Sequence, residues 1–270
     1  MTGPYAEVIG DPIAHSKSPL IHGFWLQALG IDGDYRRTHV TPGDLPAYIE
    51  QRRADPDWRG CNVTIPHKLA VMDLVDDPGD IRGTIGAMNT VVRQPGGALI
   101  GTNTDAAGFY APLAETDLTG APVAVVGAGG AARAVLFALA RAGVGHVTIL
   151  NRSPLKAMGL LATFGLKGDV AGLDTPLPPA ALLVNASSLG MTGQPPLDID
   201  LSPLPADAIV YDLVYAPLQT CLLKAAEARG LGTVDGLDML IGQAALAFEL
   251  FFGRSPPEGR DDELRALLTA

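Results

Sequence analysis

The residues best suited to chemistry begin with a glycine turn, Gly127-Ala128-Gly129-Gly130-Ala131, between an apolar run and an alanine-rich segment. The run at 123–126 predicts a strand, and the segment to about Leu139 predicts a helix. In a G-x-G-x-x-G/A pattern the first glycine makes a tight turn and the second admits a pyrophosphate. The third small residue, here Ala132, keeps helix and strand close. The stretch therefore predicts dinucleotide binding at a helix N-terminus.

A second predicted strand begins at Val147 and ends about 20 residues beyond the glycines, where a dinucleotide fold meets the adenosine ribose. An NAD site has Asp or Glu there, whereas this chain has Asn151, Arg152, Ser153 and Lys156. A guanidinium binds a 2′-phosphate through paired N–H donors, and a carboxylate would repel it. The sequence thus predicts NADP as the cofactor, with a solvated basic turn as the alternative interpretation.

Two serines, Ser16 and Ser18, lie where a loop enters a helix predicted from Leu20 to about Leu29. Pro19 suits the first helical position, and Ser18 is expected to cap the helix. Hydroxyl groups beside free helical N–H groups suit a carboxylate ligand. The residues alone also allow a plainer interpretation, in which Ser18 only caps the helix and Ser16 is ordinary loop.

Further polar residues follow the predicted strands. Asn62, Thr64 and Lys68 come at the end of one strand, where open α/β sheets bind their ligands. Asn89 begins another strand. Asp105 precedes a predicted helix, where it could serve only as an N-cap. These residues are candidates for substrate binding and acid–base chemistry.

Strands and helices must hold these candidate residues in place. Along this chain predicted strands alternate with predicted helices. Such alternation indicates an α/β fold with parallel sheets. A hairpin is predicted at Gln94-Pro95-Gly96-Gly97, and strands at 181–185 and 208–215 are expected to end on the cofactor side. A long apolar helix is predicted from Leu237 to Phe252, in which Gln243 is the lone amide and could be a partly exposed surface residue.

Composition limits the classes of protein. At 270 residues the chain suits two domains, and its 47% hydrophobic and 18% charged residues indicate a globular protein. The formal net charge of −10 argues against a nucleic-acid partner. Cys61 and Cys221 lack disulfide or metal-site spacing, so no metal is expected. Without a membrane-length apolar run or a signal-peptide pattern, the sequence predicts a cytoplasmic enzyme.

Taken together, the motifs resemble those of the shikimate dehydrogenase family, which includes the quinate/shikimate dehydrogenases, over essentially the whole chain. The matching stretches, in chain order, are Gly10 to Pro19, Asn62 to Lys68, Gly86 to Thr90, Asn103-Thr104-Asp105, the glycine turn, Asn151-Arg152-Ser153 and Asp235 to Gln243. Small departures from the family pattern, such as Gly23 after His22, leave the substrate and catalytic positions intact.

The resemblance implies a role for each candidate residue. Ser16 and Ser18 would hold a substrate carboxylate, and Lys68 and Asp105 would form the catalytic pair. The ring substituents of the substrate would be bound by Thr64, Asn89, Asp105, Tyr215 and Gln243. The NADP site would comprise the glycine turn, the polar and basic residues after the second strand, and Met191, Leu213 and Gly236.

The resemblance also implies a division into domains and a reaction. Residues 1–105 and 236–270 would form a discontinuous substrate domain with a mostly parallel sheet, and residues 106–235 a Rossmann-like, doubly wound NADP-binding domain. The implied reaction is the NADP-dependent, reversible reduction of 3-dehydroshikimate to shikimate in aromatic amino-acid biosynthesis. Hydride would come from the nicotinamide and a proton through Lys68 and Asp105.

Other functions stay open at this point. A quinate/shikimate dehydrogenase of broader specificity would have the same fold. A non-catalytic NADP-binding regulator is a second option, although it would not need Lys68 and Asp105. A two-domain dehydrogenase of the methylene-tetrahydrofolate type is a third, although it would not need the serine pair. The expected partner is a small-molecule substrate, with no nucleic acid and no membrane, and a homodimer is one option for the assembly.

Overall fold

The predicted alternation of strands and helices forms two separate β-sheets in the computed structural model, which describes residues 3–270. The predicted α/β class is therefore confirmed. The residues divide into two compact units: the first runs to Thr104 and resumes at Ile241–Ala270, and the second comprises Asp105–Leu240. The first unit is thus discontinuous in sequence.

The first unit contains a five-stranded sheet in the order β2-β1-β3-β4-β5. Its strands are β1 (Tyr5–Gly10), β2 (Asp34–His39), β3 (Trp58–Val63), β4 (Thr90–Arg93) and β5 (Leu99–Thr102). Parallel pairing joins β1 to β2 and β3, whereas β4 pairs antiparallel with both β3 and β5. The hairpin predicted at Gln94 to Gly97 joins β4 to β5, so the mostly parallel sheet has one reversed strand.

Helices accompany this sheet. They are α1 (Ser18–Leu29), α2 (Leu45–Arg53), α3 (Ile81–Thr84), the part of α8 (Gly236–Phe252) from Ile241 onwards, and α9 (Asp261–Thr269). After Pro66 the chain forms a short 3₁₀ turn, Ala70–Asp73, rather than an α-helix. The turn that carries Lys68 therefore lies between β3 and this 3₁₀ turn.

The two faces of the first sheet pack differently. Ile9, Cys61 and Val63 point to one face and are fully buried with residues of α2. Alternation along the strands places Tyr35 on the opposite face. There its ring stacks on His22 of α1, with the ring centroids 3.9 Å apart and the planes 2° from parallel.

His22 is enclosed by rings. Trp25, Phe248 and Phe251 lie within 6.2 Å of its ring, and neither imidazole nitrogen has a hydrogen-bond partner within the described part of the chain. Burial lowers the pKa of His22 to about 3, so the ring is neutral in the native protein. The side chain therefore acts as a flat apolar platform beneath Tyr35.

A pH dependence of stability follows from this histidine. Below its ordinary pKa of about 6.5 the unfolded chain binds a proton that the native chain excludes until about pH 3. The free energy of unfolding should therefore fall as pH drops from 6.5 towards 3, by up to about 1.4 kcal/mol per pH unit from this group. Urea unfolding of wild type and His22→Phe over this range measures the difference in slope.

The control for that measurement is His15→Phe, at an exposed position of the loop before α1. This variant should keep the wild-type dependence, whereas His22→Phe should lose a part of it. Equal slopes for all three proteins would contradict the assignment of a buried neutral imidazole at position 22.

The second unit contains a six-stranded, entirely parallel sheet in the order β11-β10-β9-β6-β7-β8. Its strands are β6 (Pro122–Val126), β7 (His146–Leu150), β8 (Gly168–Ala171), β9 (Leu182–Asn185), β10 (Ile209–Asp212) and β11 (Gly232–Val234). Counted along the unit this is the strand order 6-5-4-1-2-3, which is the doubly wound order of dinucleotide-binding folds. The order of strands along the sheet changes direction between β6 and β9. In such folds this point forms the crevice where ligands bind.

The helices of the second unit are α4 (Asp105–Tyr110), α5 (Gly130–Arg141), α6 (Pro154–Thr163), α7 (Cys221–Ala228) and the first residues of α8. Two apolar clusters flank its sheet. One buries Val125 and Ile149 with Leu136 of α5, and the other buries Val126 and Val210 with residues of α7. Within residues 3–270, no helix combines the length and apolar character needed to cross a membrane.

Candidate substrate and cofactor sites

The predicted carboxylate site lies at the start of α1. Ser16 and Ser18 are both buried, their Oγ atoms are 3.2 Å apart, and the backbone N–H of Ser18 donates to Ser16 Oγ at 3.3 Å. Ser18 is the first helical residue rather than the predicted cap. Lys17 occupies the cap position and makes no side-chain cap bond. The prediction of Ser18 as the cap is wrong because Pro19 fits the second helical position as well as the first, so that the helix begins one residue earlier.

Two cations fix this serine segment. Arg37 of β2 donates from Nε to the carbonyl oxygen of Ser16 at 2.7 Å. The Lys17 ammonium donates to the carbonyl oxygen of Leu268 in α9. Both bonds limit the freedom of the loop, and both bring positive charge to the segment. A negatively charged carboxylate is favoured there by the charges and by the helix N-terminus together.

A second buried group surrounds Asn89. Its Nδ2 donates to Thr104 Oγ1 at 2.9 Å, its Oδ1 accepts the backbone N–H of Thr104 at 2.7 Å, and Nδ2 also approaches Gln243 Oε1 at 3.4 Å. Gln243 is therefore buried in a polar cluster, and its interpretation as a surface amide is wrong. Sequence reasoning did not single out Thr104, although its place between Asn103 and Asp105 in a matching motif was a usable signal.

Lys68 is carried by the turn that follows β3. The Thr64 N–H donates to the carbonyl oxygen of Ile9 at 3.0 Å, and the Met88 N–H donates to the carbonyl oxygen of Lys68 at 2.8 Å. His67, fully buried, places Nε2 2.7 Å from the carbonyl oxygen of Val40. These bonds fix the backbone of Lys68 beside the residue that precedes Asn89, while the lysine itself is partly exposed.

The predicted substrate residues are distributed over both units. The first unit holds Ser16, Ser18, Thr64, Lys68, Asn89 and Gln243. The second unit holds two others: Asp105, buried at the first position of α4, and Tyr215, partly buried after β10. Within the first unit the structure brings together Ser16 with Ser18, and Asn89 with Gln243.

The glycine turn of the second unit joins β6 to α5. Gly127 has φ of 110°, and a side chain there would lie 2.9 Å from the carbonyl oxygen of Ala186. Gly129 is the N-cap of α5, without a side-chain cap, and a Cβ added to it would meet nothing within 4 Å. The first turn of α5 carries no acidic residue. This open, uncapped helix start fits the pyrophosphate of a dinucleotide.

The end of β7 has the predicted basic character. Asn151 donates from Nδ2 to the carbonyl oxygen of Ser153 at 2.8 Å, which shapes the turn into α6. Arg152 is exposed on that turn and Lys156 on the first turn of α6, and residues 151–156 include no carboxylate. The group of residues therefore fits a nucleotide with a 2′-phosphate.

The remaining cofactor candidates belong to loops after β9, β10 and β11. Gly236 begins α8, and a side chain there would lie 2.4 Å from the carbonyl oxygen of Leu213, so these two candidates are in close contact. Met191 is exposed on the loop that follows β9. The structure therefore places Leu213 and Gly236 together and Met191 on a separate loop.

Buried hydrogen bonds fix the loops that follow β9 and β10. Asp212, at the end of β10, accepts from Asn185 Nδ2 at 2.8 Å and from Thr220 Oγ1 at 2.7 Å. Burial raises the pKa of the Asp212 carboxyl, against the effect of these hydrogen bonds. Sequence reasoning missed this cluster, because only the pairing of β9 with β10 brings Asn185 and Asp212 into register. Within residues 3–270, no group of three or more His, Cys, Asp and Glu side chains is arranged to hold a metal ion.

The strand order and glycine turn of the second unit define a dinucleotide-dependent oxidoreductase with a separate substrate-type unit. Three protein-family models match the chain. The shikimate dehydrogenase substrate binding domain matches residues 8–91. The shikimate / quinate 5-dehydrogenase model matches residues 111–179, and the shikimate 5′-dehydrogenase C-terminal domain matches residues 236–260.

Individual proteins agree with the family models. A shikimate dehydrogenase (NADP(+)) of Sphingopyxis alaskensis is 84% identical over 99% of this chain and 97% of that protein. A solved shikimate 5-dehydrogenase of Thermus thermophilus, in complex with NADP(H) and shikimate, is 38% identical with a TM-score of 0.85, over 98% of this chain and 99% of that one. A quinate dehydrogenase of Corynebacterium glutamicum in complex with NAD is 32% identical with a TM-score of 0.86, over 98% and 99%. The chain belongs to the shikimate dehydrogenase family, which confirms the resemblance seen in its motifs.

Proposed function

We propose that this protein catalyses the NADP-dependent, reversible reduction of 3-dehydroshikimate to shikimate. The observation that carries the proposal is the very high, full-length similarity to a shikimate dehydrogenase (NADP(+)). The buried serine pair and the basic end of β7 agree with it, since they suit a carboxylate substrate and a 2′-phosphate. The alternative of a methylene-tetrahydrofolate type of dehydrogenase is removed by the family membership.

The substrate residues divide by the part of the substrate they bind. Ser16 and Ser18 donate hydroxyl groups to the carboxylate at the start of α1. Thr64, Asn89, Gln243 and Tyr215 bind the ring substituents, for which the buried amides of Asn89 and Gln243 offer both donors and acceptors.

Reduction of a ring ketone needs a hydride on carbon and a proton on oxygen. Bound NADPH supplies the hydride. Lys68 donates the proton to the oxygen of the forming hydroxyl and accepts it in the reverse direction. Asp105 orients the ammonium group and accepts a hydrogen bond from the substrate hydroxyl. The bond from the Met88 N–H fixes the backbone from which the Lys68 side chain extends.

Cofactor binding uses the first two βα connections of the second unit, which follow the carboxyl ends of the parallel strands β6 and β7. Gly129 and Gly130 bring backbone N–H groups to the pyrophosphate, and Arg152 and Lys156 contact the 2′-phosphate. Gly127, Ala128, Ala131, Asn151, Ser153, Met191, Leu213 and Gly236 complete the proposed cofactor site.

The likeness to a quinate dehydrogenase makes quinate the substrate to test against. Shikimate carries its carboxylate on an sp² carbon, nearly in the ring plane, whereas quinate carries it on a tetrahedral carbon with an added hydroxyl. A buried, unpaired hydroxyl costs roughly 1–3 kcal/mol, so kcat/KM should favour shikimate by about ten- to hundredfold. The measurement is NADPH formation with each substrate, with NADP and with NAD.

Serine variants link that preference to the site. Ser16→Ala and Ser18→Ala should each raise KM for shikimate strongly while changing KM for NADP little, because the serines lie in the first unit. Ser255→Ala, on an exposed segment after α8, is the matched control. Equal efficiency with quinate, or unchanged KM values in both serine variants, would overturn the carboxylate assignment. A wild-type protein that binds NADP but oxidises neither substrate would instead indicate the non-catalytic regulator.

Two further parts of the proposal concern the setting of the enzyme. We infer that it works in the cytoplasm, where its nicotinamide cofactor and biosynthetic substrates are present. A homodimer stays a prediction, and sedimentation velocity at micromolar concentration measures it.

A further inference from the structure

A continuous line of buried hydrogen bonds crosses the sheet of the first unit. The Tyr35 hydroxyl donates to Asn62 Oδ1 at 2.6 Å, Asn62 Nδ2 donates to Thr90 Oγ1 at 3.1 Å, and Thr90 Oγ1 donates to Asn89 Oδ1 at 3.1 Å. All four residues are at most 5% exposed. We call Tyr35, Asn62, Thr90 and Asn89 the cross-sheet network.

The strand register explains how a side chain on β2 reaches β3 across the intervening strand β1. Tyr35 pairs with Ala6, and Asn62 pairs with Val8 on one side and with Thr90 on the other. Directly paired residues share a face of the sheet, so Tyr35, Asn62 and Thr90 lie on one face. The Tyr35 side chain therefore reaches across β1 on this face to meet Asn62.

Both ends of the network meet residues of the proposed substrate site. At one end Tyr35 packs against α1, the helix that begins with Ser18, a proposed carboxylate ligand. At the other end Asn89 bonds to Thr104 and approaches Gln243, a proposed ligand of the ring substituents. His22 supports the first end, because its ring stacks face to face on Tyr35.

The bonds have one consistent direction. Burial raises the pKa of Tyr35 well above its ordinary value, so the phenol keeps its proton and donates to Asn62 Oδ1. This contact selects one of the two orientations of the Asn62 amide and leaves its N–H for Thr90. The Thr90 proton then goes to Asn89 Oδ1, which also accepts the backbone N–H of Thr104. The N–H groups of Asn89 therefore face Thr104 Oγ1 and Gln243.

We propose that Tyr35 is a positioning residue for the substrate, which acts through Asn62 and Thr90, together with the backbone N–H of Thr104, to hold the Asn89 amide in one orientation and the ring-binding end in place relative to the carboxylate-binding end. The inference rests on the proposed function, since Ser18, Asn89 and Gln243 are substrate ligands only in that proposal. It assigns a specificity role to a residue on β2 that contributes no group to the substrate itself.

The test removes one hydroxyl. Tyr35→Phe keeps the ring that stacks on His22 but frees the Asn62 amide to turn over. We expect KM for shikimate to rise about tenfold, equivalent to about 1.4 kcal/mol, with kcat and KM for NADP within about twofold of wild type. The preference for shikimate over quinate should fall as well, because the ring-binding amide is no longer held in one orientation.

Tyr48→Phe is the matched control, since Tyr48 is a buried tyrosine of the same unit that lies outside the cross-sheet network. It should leave KM for shikimate unchanged. An unchanged KM in folded Tyr35→Phe, or an equal rise in Tyr48→Phe, would overturn the proposal.

A second pair of variants tests the network away from the tyrosine. Thr90→Val removes the hydroxyl and keeps the shape, whereas Thr90→Ser keeps the hydroxyl. The valine variant should raise KM for shikimate about tenfold, and the serine variant should restore most of the loss. Equal KM values for the two variants would contradict a role for the hydrogen bond, even if Tyr35→Phe failed to fold.

Direct binding separates this inference from the proposed reaction. Calorimetric titration of shikimate into protein saturated with NADPH gives Kd without turnover, and Kd should shift by the same factors as KM. A wild type that binds shikimate without oxidising it contradicts the proposed reaction and still reports on the network through Kd. A wild type that does not bind shikimate contradicts both.

Discussion

Lys68→Met lowers kcat for shikimate oxidation by a factor of about 10² to 10⁴, the usual contribution of a positioned acid or base. Methionine has a similar length and no titratable group, so the side chain still fills its place while the proton path is lost. KM for NADP should change by less than about threefold, because the nucleotide is proposed to bind the glycine turn and Arg152 in the other unit. Steady-state kinetics in both directions measures these values.

Asp105→Asn extends the experiment to the proposed partner. If Asp105 orients the ammonium of Lys68, the double variant should lose clearly less activity than the product of the two single losses, because groups that act as a unit are not additive. Lys167→Met, at an exposed lysine before β8, controls for the loss of a positive charge. Near-normal kcat in Lys68→Met, or fully multiplicative losses in the double variant, would remove the pair from the mechanism.

Local sequence predicted the cofactor half of the protein well. The glycine turn combines an apolar strand, small residues and a helical pattern within 123–139, so its signal needs no distant partner. Helix α6 was not predicted, although Ser153 and Pro154 are a typical start of a helix. Strand β8 was missed because its four residues, Gly168–Ala171, are too few for a pattern.

The substrate half depends on contacts between distant residues. The sequence placed Asn89 and Gln243 in motifs, but only folding brings them to 3.4 Å across 154 positions of the chain. Tyr35 carried no local signal, and Thr90 was the last residue of a matching motif with no role assigned to it. Tyr35 is an ordinary aromatic residue of a strand in the sequence, and its bond to Asn62 depends on the register of β2, β1 and β3, which places both side chains on the same face of the sheet.

The Ser18 prediction shows a different limit. A serine before a proline is a good candidate for a helix cap, and the sequence cannot distinguish a proline at the first helical position from one at the second. Contacts with Arg37 and α9 fix the serine loop in the folded chain. This position of Ser18 suits binding of a substrate carboxylate, because the Ser18 hydroxyl is not used to cap α1.

Arg152→Ala should weaken NADP binding by about 2 kcal/mol, which is about a thirtyfold increase in KM for NADP. The guanidinium is exposed on the turn after β7, where the ribose of a bound dinucleotide is expected, and residues 151–156 include no carboxylate. NAD has no 2′-phosphate, so its kinetic constants should stay nearly the same. The measurement is KM and kcat for both cofactors at saturating shikimate, at two salt concentrations.

The matched control is Arg141→Ala. Arg141 is the last residue of α5, at the end away from the glycine turn, where it packs over Phe137 and no phosphate is expected. This variant should leave both cofactors unaffected. Raising the salt concentration should reduce the difference in KM for NADP between wild type and Arg152→Ala, because the contact is a charged one at an exposed position. Equal losses with NADP and NAD would mean that Arg152 supports the turn into α6 rather than the 2′-phosphate, and the cofactor preference would then have to come from Lys156 and Ser153.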